Sequence, residues 1–471
     1  MSQRGSAGSL RRLRAGLAMA GAGAVLVAMA LVPASPAGGQ VAEGPVVAGP
    51  VVAGPIPGAV PGDPASGELA ETYPFFSTPF DLAGAGYVEE EFYLSGLADG
   101  FDGEGTQVAS DVPYRTRIVV RRPASAERFN GVVLMEWQNV TAGYDLDALW
   151  NPEHVTRSGY TWVGVSAQRV GVDFLTSWSP TRYGELDVTG AGAFVADELS
   201  YDIFSQAARA VRSPSPGTDP MAGLPVDRVL AIGASQSAGR LQVYYDSVLP
   251  QVDPVFDGYA FIVGPAPSRV DDEPVFHVLS ETDVRTPLGR RPDSEVYRRW
   301  EVAGAAHSGW AGQEYRRPIS ERDLPDGAPE YDCDDPPFSR VPLQHVTTKA
   351  YDHLAAWVGG TQPPHAPYLE FSGPTAKLRN ELGLAQGGIQ LSQVSVPIAL
   401  NTGANSGELF CFLFGTHQPF GDALLAELYP SHGRYVSAVA RASTANVRAG
   451  YLDAADATAD ITAAARSRVG R

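Results

Sequence analysis

The stretch V-L-A-I-G-A-S-Q-S-A-G-R-L, residues 229–241, decides the fold of this chain. Its apolar beginning predicts a buried strand over Arg228 to Ile232, and the apolar residues from Leu241 onwards have helical spacing. Ser235 lies at the turn between them, which is where a nucleophile elbow carries its nucleophile. The form is G-x-S-x-G with Ser237 at the last position, which keeps that position small. The alternative is an ordinary strand-to-helix turn that contains serines, because short patterns also occur by chance.

Segments on both sides of this stretch carry strand and helix patterns. Two early segments alternate apolar and polar residues, as half-exposed strands do, and later ones are continuously apolar, as strands covered on both faces are. Apolar residues at helical spacing predict two long helices. The strands are expected at 87–94, 114–120, 131–135, 160–165, 259–263 and 275–279, and the helices at 197–211 and 344–357. This order predicts an α/β fold whose mostly parallel central sheet is flanked by helices.

A base and an acid that could activate Ser235 follow it in the chain. A serine nucleophile needs a base to accept its proton and an acid to orient that base. The segment S-E-T-D at 280–283 comes directly after a predicted core strand, so its carboxylates are expected at the carboxyl edge of the sheet. The segment W-E-V-A-G-A-A-H then ends at His307. The predicted triad is Ser235, Asp283 and His307, with Glu281 as the alternative acid.

Two backbone N–H groups are expected to form the oxyanion hole. One is that of Gln236, directly after the nucleophile. The other is expected from Asn139 or Val140, because these residues follow the buried strand at 131–135. This chemistry is expected to need neither a metal ion nor a cofactor.

The composition limits the partners of the chain. Its 53 Asp and Glu residues against 35 Lys and Arg give a net charge of −18, which disfavours nucleic acid and anionic membrane surfaces as partners. Cys333 and Cys411 are its two cysteines. In an oxidising compartment a disulfide between them is expected, and two buried thiols are the alternative.

The N-terminal segment has the pattern of a targeting signal. Four arginines and no acidic residue accompany an Ala/Gly/Leu/Val run at 15–32, and small residues at 34–37 offer a cleavage site. Residues 1–37 are expected to be a signal peptide, with an uncleaved anchor as the alternative. Cleavage would delete the four arginines, take the net charge from −18 to −22, and leave a secreted or cell-envelope protein without stable membrane insertion.

The remaining residues divide by composition. Residues 38–66 are rich in Gly, Pro, Val and Ala, which predicts a linker. Residues 67–471 are assigned to one domain, with a core at about 75–358 and a C-terminal extension at 359–471.

Several motifs together resemble a family of poorly characterised bacterial α/β-hydrolase domain proteins. They are G-Y-V-E-E-E-F at 86–92, E-W-Q-N-V at 136–140, V-G-V-S-A-Q-R-V-G-V at 163–172, Y-D-I-F-S-Q-A at 201–207, G-A-S-Q-S-A-G-R-L at 233–241, S-E-T-D at 280–283 and W-E-V-A-G-A-A-H at 300–307. The resemblance implies a serine-hydrolase scaffold with Ser235 and His307 at the triad positions. Ordinary α/β-hydrolases end soon after the histidine, so the extension at 359–471 is expected to pack over the site as a cap.

The expected function is hydrolysis of a carboxylic ester, small or lipid-like, through an acyl-enzyme. An acyltransferase is one alternative, because the same acyl-enzyme can pass its acyl group to an alcohol. A non-catalytic binding protein of the cell envelope is the alternative from another class.

Overall fold

A nine-stranded sheet forms the centre of the computed structural model, which describes residues 49–63, 65, 68, 71–214, 216–269 and 273–471. The strands are β1 Val51–Ala53, β2 Val60–Pro61, β3 Glu71–Thr72, β4 Tyr87–Phe101, β5 Gln107–Pro123, β6 Val132–Trp137, β7 Thr161–Val165, β8 Arg228–Ala234, β9 Gly258–Ile262, β10 Val275–Ser280, β11 Tyr297–Val302, β12 Ala399–Thr402 and β13 Thr416–Pro419. The α-helices are α1 Pro152–Ser158, α2 Arg169–Trp178, α3 Pro180–Tyr183, α4 Ser200–Arg212, α5 Gln236–Val243, α6 Trp310–Asp323, α7 Leu343–Val358, α8 Ser392–Ser395, α9 Asp422–Leu428, α10 His432–Ala449 and α11 Ala454–Arg466.

The sheet is antiparallel at one end and parallel through the rest. Its order is β1-β4-β5-β7-β6-β8-β9-β10-β11. The pairs from β1 to β7 are antiparallel, and every pair from β7 to β11 is parallel. The predicted α/β class and the mostly parallel sheet are therefore confirmed. The predicted helices form as α4 and α7, with boundaries within three residues of those expected.

The buried strands send alternate side chains into two apolar clusters. In β6, Val133, Met135 and Trp137 belong to one cluster, and Val132 and Leu134 belong to the other. Because successive side chains of a strand point to opposite faces, the clusters lie on the two faces of the sheet. The first cluster includes the buried face of α4 and the second that of α7, which explains why the parallel strands are continuously apolar.

The N-terminal boundary of the fold differs from the prediction. The expected linker at 38–66 includes β1, which pairs antiparallel with β4, and β2, which pairs with β3. For this stretch the predicted linker and the predicted domain start at residue 67 are wrong. Val52 is buried, and the backbone of β1 forms hydrogen bonds with β4 at the edge of the sheet. The predicted signal peptide, residues 1–37, lies outside the described residues.

The C-terminal extension adds elements to the edge and top of the sheet. Ile389 forms a parallel bridge with Val302, at the end of β11, and β12 and β13 form a hairpin. Cys333 and Cys411 are joined by a disulfide with a Cα–Cα distance of 5.4 Å, which ties the extension to the loop after α6. In the described part of the chain, no helix has both the length and the apolar character needed to cross a membrane.

Candidate active site

Ser235 lies at a strained turn between β8 and α5. Its backbone has φ 55° and ψ −113°, a positive φ that few residues other than glycine adopt. The Ser235 N–H donates to the Ile262 carbonyl at 2.9 Å, which holds the turn against β9. A Cβ at Gly233 would lie 2.9 Å from the Ser237 carbonyl oxygen, so the strand and helix meet only because this residue is glycine.

Ser237 supports the elbow from inside. Its side chain is fully buried, and its Oγ lies 3.0 Å from both the N–H and the carbonyl oxygen of Ala234. The two serines of the motif therefore have different surroundings, because Ser235 lines a cavity and Ser237 contacts the backbone of β8.

An acid and a histidine meet beyond the ends of β10 and β11. The Asp283 Oδ1 lies 2.7 Å from the His307 Nδ1, and the Ser280 Oγ donates to the other carboxylate oxygen at 2.5 Å. The His307 N–H donates to the Thr282 Oγ1 at 3.2 Å. Since Nδ1 faces the carboxylate, Nε2 is left as the nitrogen that can accept a proton. Among the described residues no hydrogen bond joins the Ser235 hydroxyl to this imidazole; such contacts often tighten only with substrate bound.

Glu281, the alternative acid, is occupied elsewhere. Its buried carboxylate accepts a hydrogen bond from the Gly304 N–H at 2.7 Å and pairs with the Arg379 guanidinium at 2.6 Å. These contacts link Glu281 to the residues after β11 and to the extension, so its carboxylate stabilises the packing of these segments. Of the two carboxylates, Asp283 is the one that contacts His307.

The loop after β6 offers one of its two expected N–H groups to the site. The Asn139 N–H donates to the Leu146 carbonyl at 3.3 Å, and its side chain donates to the Ala234 carbonyl at 2.9 Å. The expectation of an Asn139 N–H in the oxyanion hole is therefore corrected, because that donor is used within its own loop. The Val140 N–H faces the Gln236 Oε1 at 3.3 Å, and the N–H of Gln236 begins α5.

Gln168 is a neighbour of the site that sequence reasoning missed. Its side-chain amide exchanges hydrogen bonds with that of Gln236 at 2.5 and 3.2 Å and donates to the Gln138 carbonyl at 3.2 Å. It lies in the V-G-V-S-A-Q-R-V-G-V motif, and a buried amide directly after a core strand is the signal that could have pointed to it.

Ser235 and His307 line the same cavity of about 750 Å³, a size that suits a small organic substrate. The aromatic lining residues are Tyr144, Trp150, Trp310, Tyr331, Phe338, Phe410 and Phe414. Phe410 and Phe414 belong to the extension and flank the disulfide-bonded Cys411. The extension therefore contributes part of the cavity wall.

Buried ionisable groups next to the site have shifted pKa values. Burial and the neighbouring Asp147 raise the pKa of Glu136 in β6, although Trp162 donates a hydrogen bond to it. Burial lowers the pKa of His277 to about 4, and its ring nitrogens contact the Tyr297 hydroxyl and the Gly264 carbonyl. In both groups burial is the largest cause of the pKa shift, and it favours the neutral form.

One cluster of the described residues has ligand atoms close enough for a metal ion, and it lies apart from the cavity lining. His154, Asp352 and Asp453 hold their ligand atoms within 4.8 Å of one another. The Lys349 ammonium lies 3.2 Å from Asp352 and 3.0 Å from Asp453, and Arg157 also pairs with Asp453. Because these cations already balance the carboxylates, the cluster is an ion-pair network between α1, α7 and the extension.

The strand order, the serine at the turn after β8 and the acid–histidine pair after β10 and β11 define an α/β hydrolase. The chain belongs to the alpha/beta hydrolase domain family, whose model matches residues 52–462. This membership supports a hydrolase. No curated protein matches the chain.

Solved structures of low similarity also align with parts of the chain. The rice cell wall degrading esterase LipA from Xanthomonas oryzae is 16% identical over 38% of this chain and 43% of that one, with a TM-score of 0.22. The esterase Est22 is 10% identical over 42% of this chain and 66% of that one, with a TM-score of 0.26. A prolyl endopeptidase is 9% identical over 48% of this chain and 36% of that one, with a TM-score of 0.26. The aligned parts make up less than two thirds of each of these proteins.

Proposed function

We propose that this protein is a serine hydrolase that cleaves carboxylic esters through an acyl-enzyme. Ser235 Oγ attacks the ester carbonyl carbon while His307 Nε2 accepts its proton. Asp283 holds the imidazole through Nδ1 and stabilises its protonated form. The imidazolium then gives its proton to the leaving alcohol. In the second half of the reaction water attacks the acyl-enzyme carbonyl while His307 accepts its proton, and the bond to Ser235 Oγ breaks, which releases the acid and returns the proton to Ser235.

The negative charge that develops on the carbonyl oxygen needs donors that are already in place. The N–H of Gln236 at the start of α5 is one, and the N–H of Val140 is the other in this proposal. When substrate binds, its carbonyl oxygen would replace the Gln236 Oε1 as the acceptor of the Val140 N–H. Gln168 and Asn139 act as positioning residues, because they tie the Gln236 side chain and the loop after β6 to the elbow.

The observation that carries the proposal is the strained backbone of Ser235, in the same cavity as a histidine that contacts Asp283. A positive φ at serine costs free energy on the order of 1–3 kcal/mol, and such strain is concentrated at functional sites. Other non-glycine residues of the chain also have a positive φ, so the strain supports the proposal because it lies at a serine that shares its cavity with His307.

Fluorophosphonate labelling followed by intact mass tests the nucleophile. We expect one adduct on wild type and on Ser237→Ala, and none on Ser235→Ala, because of the two serines in the motif only Ser235 lines the cavity, whereas Ser237 contacts the backbone of β8. Circular dichroism on all three proteins checks that they are folded. Absence of an adduct on folded wild type would overturn the proposal in favour of a binding protein, and loss of the adduct in Ser237→Ala alone would assign the nucleophile to Ser237.

We also propose that the protein is exported. The basic and apolar segments of residues 1–37 and the Cys333–Cys411 disulfide support this location. The N-terminal sequence of the protein recovered from the producing cell tests it: a start near residue 38 in the envelope or medium is expected, and a full-length cytosolic protein would contradict it.

A further inference from the structure

Two arginines of the active-site cavity have no acidic partner. Arg316 on α6 is half-buried, and its Nη2 donates to the Ser308 Oγ at 3.0 Å. Arg340 stacks over the Trp310 ring at 4.4 Å. Both line the cavity that holds Ser235 and His307. Within the residues that the structure describes, neither guanidinium forms an ion pair with a carboxylate.

Ion pairs between arginine and a carboxylate are common in this acidic chain. Acidic residues outnumber basic ones by 53 to 35, and many arginines elsewhere pair with them, some in the core, while others such as Arg228 and Arg291 donate to backbone carbonyls instead. Arg117 and Arg182 both pair with Glu91, and Arg121 pairs with Asp147 at 2.7 Å. A cavity guanidinium that, among the described residues, pairs with neither a carboxylate nor a backbone carbonyl, as in Arg316 and Arg340, is a candidate for binding an anionic ligand.

The carboxylates that line the cavity do not neutralise these arginines. Asp460 accepts hydrogen bonds from Ser392 at 2.9 Å and Gln393 at 3.1 Å, and Glu330 is exposed. Burial and the charge of Arg340 lower the pKa of the nearby His417 to about 4. Among the described residues, neither Asp460 nor Glu330 forms an ion pair with Arg316 or Arg340.

We propose that the ester cleaved at this site carries a carboxylate, which Arg316 binds inside the cavity and Arg340 attracts at its edge. This inference rests on the proposed function and names its substrate class. A guanidinium has five N–H donors, so Arg316 keeps donors for a carboxylate after bonding Ser308. Since Ser308 follows His307 directly, the bound anion lies close to the reacting carbonyl, and aromatic side chains cover the rest of a compact substrate.

Two pairs of esters separate the effect of charge from that of shape. In 4-acetoxybenzoate and its methyl ester the carboxylate belongs to the leaving-alcohol half. In monomethyl terephthalate and dimethyl terephthalate it belongs to the acyl half. The measured quantity is the ratio of kcat/KM for the anionic ester to that for its neutral partner, in wild type, Arg316→Gln, Arg316→Lys and the control Arg317→Gln. Arg317, the next residue of α6, also lines the cavity, but it is exposed and already pairs with Glu314 at 3.5 Å, so it is the control for a cavity arginine that has an acidic partner.

The inference predicts that Arg316→Gln lowers the ratio about tenfold or more in one of the two pairs, which identifies the half that carries the anion. The ratio for Arg316→Lys should lie between those of Arg316→Gln and wild type, and the ratio for Arg317→Gln should equal that of wild type. An unchanged ratio in both pairs would overturn the inference. Equal loss on anionic and neutral esters would also overturn it, because Arg316 would then act only by positioning Ser308 and His307.

Binding keeps the test independent of catalysis. Calorimetric titration of Ser235→Ala measures the affinity for 4-acetoxybenzoate, for monomethyl terephthalate and for the neutral ester of each. One of the two anions should bind more tightly than its neutral ester. This difference should disappear when Arg316→Gln is added to Ser235→Ala. Fluorophosphonate labelling of wild type and of Arg316→Gln, both with Ser235 in place, reports on the proposed function alone. Labelled protein without anion preference overturns only the substrate class, and anion binding without labelling overturns only the hydrolase.

Discussion

At the scale of single residues, the site depends on small side chains around one strained serine. The positive φ of Ser235 brings the start of α5 against the loop after β9. A Cβ at Gly264 would lie 2.7 Å from the Ala238 Cβ and 2.8 Å from the Ser235 carbonyl oxygen. Neither neighbour can move without moving the elbow, so glycine is required there for steric reasons.

Gly264→Ala should therefore destabilise the elbow. We expect a loss of about 1–3 kcal/mol in the free energy of unfolding, measured by urea denaturation, and slower fluorophosphonate labelling of Ser235. Gly239→Ala is the matched control, because its nearest neighbour is the Pro265 Cγ at 3.9 Å and alanine favours the helix. Equal behaviour of the two variants would contradict this steric reading.

The two carboxylates of S-E-T-D should separate into catalytic and structural effects. Asp283→Asn leaves the fold intact but removes the charge beside the His307 Nδ1, and we expect kcat for ester hydrolysis to fall about 10³–10⁴-fold. Glu281→Gln removes a buried partner of Arg379 and should cost about 1–3 kcal/mol of stability. At a temperature where it is folded, Glu281→Gln should keep most of its activity; the opposite pattern would exchange the two roles.

At the scale of elements, an ion-pair network joins α1, α7 and the residue before α11. His154 of α1 lies 3.0 Å from both Asp352 of α7 and Asp453. Burial alone would lower the pKa of His154, but its hydrogen bonds to the two carboxylates and their charges raise that pKa to about 9. The extension is thus held to the core by a histidine that is charged at pH 7.

Stability should therefore decline in alkaline solution. Because the folded pKa of His154 is raised, its contribution is complete below its unfolded pKa of about 6.5 and is lost as the pH rises through about 9. His154→Gln should be less stable than wild type by roughly 3 kcal/mol at pH 6, with a smaller difference at pH 9, measured by urea denaturation.

His353→Gln is the control for this pH dependence. His353 also links α7 to the extension, through the Gly450 carbonyl at 2.8 Å, but burial lowers its pKa. A lowered histidine pKa affects stability only as the pH falls below about 6.5. Between pH 6.5 and 9 the free energy of unfolding of His353→Gln should decline as it does in wild type. If His154→Gln shows the same decline, groups other than His154 cause it.

At the scale of the whole molecule, the extension completes the site as well as the fold. Phe410 and Phe414 form cavity wall on either side of Cys411, and Arg379 and Asp453 pair with residues of the core. The disulfide joins residues 78 positions apart, so it restricts the unfolded chain substantially.

Replacing both cysteines should lower stability without removing the triad. We expect Cys333→Ser with Cys411→Ser to lose about 2–4 kcal/mol of unfolding free energy in urea, because the unfolded chain regains the freedom of a long loop. Dithiothreitol should destabilise wild type by a similar amount and leave the double variant unaffected. An equal effect of dithiothreitol on both proteins would assign the loss to another cause.

The sequence by itself determined the features whose signals are local. The strand, serine and helix of residues 229–241, the apolar runs of the parallel strands and the helical spacing in α4 and α7 each depend on neighbours within one element. They were sufficient for the α/β class, and for naming the serine and the histidine that the fold brings to one cavity.

Only the tertiary structure decided the features that depend on distant partners. Asp283 and Glu281 are two residues apart, and which of them faces His307 depends on how β10, β11 and Arg379 pack together. The Asn139 N–H is occupied because Leu146 folds back onto it, and β1 is a strand because the edge of β4 accepts it. The two cavity arginines likewise appear unpaired only when their spatial neighbours are known. The physical reason is that short-range patterns report burial and local conformation, whereas hydrogen-bond and ion-pair partners are set by contacts between segments far apart in the chain.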